Sequence, residues 1–170
     1  SDRQAFPSFY RIVPSDDEAA SAIAALFIKF GWKSGIIIYQ DDAFGAGGAN
    51  AISEAFDKSN LTVARTLIFD TATRAIRGNL KTLLTSSATR IIILWADAGY
   101  SSLILQNALD ADVLAPQFTW ILSINVALDG FDSKWHDKLA GMLTVEPVVG
   151  SVVQAPINMT LLNAARNIWQ

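Results

Sequence analysis

Along this chain, short apolar runs of strand length alternate with longer segments of helical period. Five runs, over residues 34–40, 62–69, 90–95, 118–122 and 141–145, are rich in Ile, Val and Leu, and most show little alternation, as befits strands covered on both faces. Between them the spacing predicts helices over 16–30, 47–58, 73–86 and 98–111, with a weaker one over 132–139. Strand and helix in regular alternation predict an α/β fold: a doubly wound, Rossmann-like parallel sheet with helices on both faces.

The first helix carries the clearest punctuation. Pro14-Ser15 halts what precedes it, Ser15 and Glu18 stand at capping-box spacing, and Gly31 follows the last apolar position. Its apolar stripe reads Ala19, Ile23, Leu26, Phe27 and Phe30. After residue 148 the run VVGSVVQAP loses all period, so residues 1–150 are expected to form one lobe and 151–170 the truncated start of a return segment.

Composition narrows the chemistry. With 51% hydrophobic and 17% charged residues the chain has what a folded core needs, and no run of about 18 apolar residues suggests a membrane span, so no membrane contact is expected of this stretch. A formal charge of −3 without a basic cluster argues against nucleic acid as partner. Zero cysteines exclude thiolate chemistry, and the single histidine, His136, lies between Trp135 and Asp137 with no local relay partner. Neither a catalytic group, a metal site nor a cofactor is expected, and the chain reads as a non-enzyme. Gly45, Gly47 and Gly48 superficially resemble a dinucleotide fingerprint, but QDDAF separates them from the strand and Asn50 stands where a third glycine or alanine belongs.

In a doubly wound sheet, ligands bind outside the carboxyl ends of the strands. The loops at 40–44, 70–73, 96–100 and 123–126 fall there. They nominate Gln40, Asp41, Phe44, Trp95, Ala96, Asp97 and Ser123 as contacts for a small polar ligand. Each acid has a competing use, since Asp41, Asp42 and Asp97 all precede helices and suit an N-cap. Asn60 and Asn158 open N-x-T sequons and are glycosylation candidates.

The run FYRIVPSDDEAASAIAALFIKFGWKSGIIIYQDDAFGAGG, with ARTLIFDTAT, RIIILWADAGYSSLILQNAL, QFTWILS and GMLTVEP after it, resembles the type I periplasmic-binding-protein fold of the ANF-receptor ligand-binding family and of class C receptor ectodomains. The likeness spans about residues 3–148, and the later part is most similar to metabotropic GABA-B-type receptors. It implies the second lobe of a Venus-flytrap module that senses a small polar ligand (amino acid, amine or organic acid) by closing on a first lobe absent from this chain. A homo- or heterodimer, an extracellular location and signal transduction through a G protein-coupled receptor come with it.

By the same resemblance, Asp16 matches the acid of the P-S-D motif that reaches toward a ligand amino group, and Phe44 takes the place of a ligand-stacking Tyr. Ser123-Ile124-Asn125-Val126 departs from the S-D-G-W of glutamate-type members, so a second ammonium-binding acid is missing. Two alternatives are a periplasmic solute-binding protein feeding a transporter for amino acids or amides, and a small Rossmann-like or flavodoxin-like nucleotide-binding enzyme.

Overall fold

The computed structural model describes residues 15–146. Its first helix, α1 (Asp16–Phe30), starts on the expected capping box: Ser15 Oγ accepts from the Glu18 N–H at 3.4 Å, and Glu18 Oε2 accepts from the Ser15 N–H at 3.1 Å. It ends where Gly31 turns left-handed, φ 70°, a conformation that favours glycine. The buried face is Ala20, Ile23, Ala24 and Phe27. Phe30, read as part of the stripe, is instead 53% exposed and stacks on Trp32 with ring centroids 4.8 Å apart.

Among the described residues six strands form one sheet: β1 (Ser34–Gln40), β2 (Thr62–Asp70), β3 (Ala75–Ile76), β4 (Ile91–Trp95), β5 (Thr119–Leu122) and β6 (Leu143–Thr144). They lie in the order β3-β2-β1-β4-β5-β6, and every neighbouring pair is parallel except β2 and β3. The helices between them are α2 (Ala43–Lys58), α3 (Leu80–Thr85), α4 (Ala98–Asp110) and α5 (His136–Leu139). This is the expected doubly wound sheet with one additional, antiparallel edge strand.

The departures have local causes. Helix α2 begins four residues before the expected 47, because Asp42 caps it and its glycines lie within the helix. The helix expected over 73–86 is a hairpin followed by one short helix. Asp70 Oδ1 accepts from the Ala72 and Thr73 N–H groups at 3.0 and 2.9 Å, making a turn of the kind that competes with helix. Arg74 and Gly78 then take positive φ, 54° and 105°, and Asn79 caps what remains. The segment 132–139 splits into a 3₁₀ turn, Ser133–Trp135, and α5. The first half of β2 alternates between exposed and half-buried positions, because β3 pairs only with Phe69 and Asp70 and leaves that half at the edge of the sheet.

Successive residues of a strand point to opposite faces, and that divides the core in two. Ile37, Ile93 and Ile121 meet α1 and α2 through Ile23, Phe27, Ile52 and Phe56. Ile36, Ile38, Ile92, Leu94 and Leu122 join the other face with Leu84, Ile104 and Leu105 from α3 and α4. Ile37 has no exposed surface, so Ile37→Ala should cost about 2–5 kcal/mol in urea unfolding. Ile28→Ala, at a position 61% exposed, should stay within about 0.5 kcal/mol. Equal losses at both positions would contradict this assignment of faces.

Candidate functional site

From β1 the sheet grows toward β2 on one side and toward β4 on the other, so the chain reverses direction between β1 and β4. The carboxyl ends of these two strands therefore flank a crevice, the usual ligand position in such sheets. The loops after them bring together Gln40, Asp41, Asp42 and Phe44 on one side and Trp95, Ala96 and Asp97 on the other.

Gln40 joins the two loops. Its side chain is 3% exposed; Nε2 donates to Asp42 Oδ2 at 2.5 Å, and Oε1 accepts from the Asp97 N–H at 2.7 Å. Its amide is thus engaged within the fold and fixes the spacing of the loops. Asp42 Oδ1 accepts from the Gly45 N–H at 2.7 Å and Asp97 Oδ1 from the Tyr100 N–H at 2.9 Å, so both acids serve as N-caps. Ala96 is buried, and its carbonyl accepts from Ser101 Oγ at 3.2 Å and Ser123 Oγ at 3.4 Å, which ties the loop after β5 to the same rim.

Asp41 forms an ion pair with Arg77, and Arg77 also reaches Asp70 at 3.4 Å. This contact lashes the β2–β3 hairpin to the loop after β1. Sequence reading gave Arg77 no role; Asp70 three residues before Thr73, followed by Gly78, is the signal that could have found the turn. Beside it, Arg74, Asp97, Gly99, Tyr100 and Leu103 line a pocket of about 510 Å³. A larger one, about 660 Å³, lies between Ile76, the start of α3 and the end of α4, away from the rim residues.

Trp95 is 4% exposed, and its indole N–H has no hydrogen-bond partner among the described residues. Phe44 is 45% exposed, with its ring 5.9 Å from that of Trp95. The aromatic surface presented to solvent is therefore Phe44, with Trp95 beneath. Helix α2 comes this close because two of its glycines leave room: a Cβ at Gly45 would stand 1.9 Å from the Gln40 carbonyl oxygen, and one at Gly48 would stand 2.0 Å from the Trp95 ring. Asp16 begins α1 half-buried, facing Gly47 of α2.

Asn60 is exposed, in a positive-φ turn before the amino end of β2 and so at the opposite end of the strands from the rim. Asn158 lies outside the described residues. His136 Nε2 sits 3.3 Å from the Phe131 carbonyl oxygen and away from the rim loops. Among the described residues no three His, Cys, Asp or Glu side chains are grouped so as to hold a metal ion.

Residues 1–166 match the family model described as "Receptor family ligand binding region". Over 166 residues the chain is 26% identical to Glutamate receptor 2.2 of Arabidopsis thaliana, covering 96% of this chain and 17% of that protein. It is 26% identical over 149 residues to Glutamate receptor 2.4 of the same plant, 84% of this chain and 16% of the relative. To Taste receptor type 1 member 3 of Mus musculus it is 28% identical over 132 residues, 72% of this chain and 15% of the relative. The chain thus spans about a sixth of the length of the curated relatives it matches.

Two outcomes follow from the geometry of the rim. Gly48→Ala should cost about 1–3 kcal/mol by driving a methyl group into Trp95; wild-type stability for that variant would mean α2 does not sit as described. The Asp70 carboxyl is held below its ordinary value of 3.8, first by the Thr73 N–H and then by the Ala72 N–H and Arg77. A depressed folded value stabilises the hairpin above the ordinary value and loses that contribution as pH falls through the lower one. Carboxyl NMR titration should find Asp70 below 3.8, and a midpoint at or above that value would show that the turn is not formed.

Proposed function

This chain belongs to the family of receptor ligand-binding regions, and from that premise we propose that it is the second lobe of a two-lobed extracellular module that closes on a small polar molecule. The observation that carries this reading is the rim at the switch point. There Asp16, Phe44 and the loops held by Gln40 stand together outside the carboxyl ends of β1 and β4. A ligand seated on such a rim and touched by a facing lobe makes more contacts in the closed arrangement than in the open one, and that difference is what drives a hinge.

In this reading the contacts come from Asp16, Asp41, Phe44 and the Asp97 loop, with Gln40, Ala96 and Ser123 positioning them. Two of the matched relatives are named glutamate receptors, which makes amino acids the first class to test, followed by amines and organic acids. The relatives named above are receptors, and they lend no support to a solute carrier or a nucleotide-binding enzyme. A finer likeness to GABA-B-type receptors rests on residues 140–160, most of which lie outside the described residues; coupling to G proteins and dimerisation come with the wider class C resemblance and belong to the same proposal.

The test is a thermal-shift screen of the complete two-lobe ectodomain against amino acids, 4-aminobutyrate-like amines and organic acids, because a molecule that binds only the folded state raises the midpoint. A rise confined to one of these classes is expected; a response to nucleotides or flavins alone would overturn the reading. With a ligand in hand, Asp16→Asn should weaken binding about tenfold or more while leaving the ligand-free midpoint nearly unchanged. A parallel fall in stability would mean that Asp16 serves the helix end alone.

A further inference from the structure

The sequon Asn60-Leu61-Thr62 lies in the turn between α2 and β2. There the Asn60 N–H donates to the Asp57 carbonyl at 3.3 Å and the Leu61 N–H to the Phe56 carbonyl at 2.9 Å. Asn60 takes φ 54°, a left-handed conformation in which asparagine is several-fold enriched. The turn by itself therefore accounts for an asparagine at 60. It makes no demand on residue 62, where the sequon has its threonine.

The fold presents both ends of the motif at the surface. Leu61 is buried in the core beside α1 and α2, and its two neighbours, Asn60 and Thr62, are exposed. β1 runs parallel to β2 with Ser34 opposite Thr62, which puts Asn60 at the amino ends of the strands. The rim loops, the start of α1 facing Gly47 and the carboxyl end of β6 all lie at the other end. The described chain thus enters and leaves the lobe at its rim end, and a group attached to Asn60 stands clear of whatever closes on the rim.

What lies near Asn60 is aromatic. The Thr62 N–H donates to the Lys33 carbonyl at 2.9 Å, which holds the turn beside the end of α1, where the exposed Phe30 stacks on Trp32. Apolar side chains grouped at a surface favour association, and a bulky, hydrophilic glycan next to them opposes it. We propose that Asn60 carries an N-linked glycan, which screens the Phe30–Trp32 pair from other proteins. The inference rests on the extracellular part of the receptor reading above. In the step itself the Asn60 amide nitrogen loses a proton and bonds to the anomeric carbon of a lipid diphosphate-linked oligosaccharide. That carbon's bond to the diphosphate breaks, and the lipid diphosphate leaves.

The test takes the complete receptor chain expressed in cultured eukaryotic cells, with protease protection in isolated microsomes and glycopeptide mass spectrometry of the protected material. Asn60 should be glycosylated in most copies. Thr62→Ala should abolish the modification and Thr62→Ser should keep it. Asn60→Asp should abolish it as well while preserving the turn, since aspartate also accepts positive φ, so the ligand-free midpoint of the two-lobe ectodomain should stay near that of wild type. In sedimentation, the Thr62→Ala ectodomain should self-associate beyond the Thr62→Ser form, and adding Phe30→Ser should reverse the difference.

A protected chain with bare Asn60 would overturn the inference and leave the receptor reading in place. A chain whose lobe is digested from the cytosolic side of the microsomes would remove both. Identical sedimentation of the Thr62→Ala and Thr62→Ser forms would overturn the screening of Phe30 and Trp32.

Discussion

The carboxamide of Gln40 sets the geometry on which the rim depends. At that buried position the two neighbours make opposite demands: the Asp42 carboxylate needs a donor, and the Asp97 N–H needs an acceptor. Glutamine is built to supply both from one planar group. A glutamate would set two carboxylates against each other at 2.5 Å, and a leucine would leave both partners unsatisfied in the interior. Because Asp42 and Asp97 each cap a helix, fixing their separation also fixes where α2 and α4 begin. The positions of Phe44 and Tyr100 follow.

Much of this architecture is legible in the sequence because local and global signals agree. The capping box at Ser15 and Glu18, the apolar run of β1 and the acid before α4 mark their elements to within a residue. The β2–β3 hairpin was not legible because its apolar spacing looks helical. What decides it is Asp70 binding the Ala72 and Thr73 N–H groups, followed by positive φ at Arg74 and Gly78, which period counting does not register. The start of α2 was misplaced for a related reason: its glycines suggest a loop until the walls they press against are known.

The site was legible as a neighbourhood more than as a set of roles. Topology alone brings Gln40, Phe44, Trp95 and Asp97 to one rim, yet only the folded structure separates the residues that hold the rim from those it presents. Gln40 and Trp95 prove to be buried, while Phe44 faces outward. That division depends on which strand residue points to which helix, and on the closeness of α2 to the sheet. One-dimensional patterning carries neither. The match to receptor ligand-binding regions agrees with the fold and adds the biological setting that patterning could not supply.

The strand order also bears on how the chain assembles as it is made. β1 lies at the middle of the sheet, with Ile36 to Tyr39 paired to β2 on one side and to β4 on the other. β2 follows β1 closely in the chain, whereas β4 emerges only after the hairpin and α3. During synthesis from the amino end, β1 and β2 can join early while the other edge of β1, almost wholly apolar, stands open until residue 95 is available. That exposed edge makes the nascent lobe most vulnerable to self-association, and its closure by β4 is also the event that first creates the crevice.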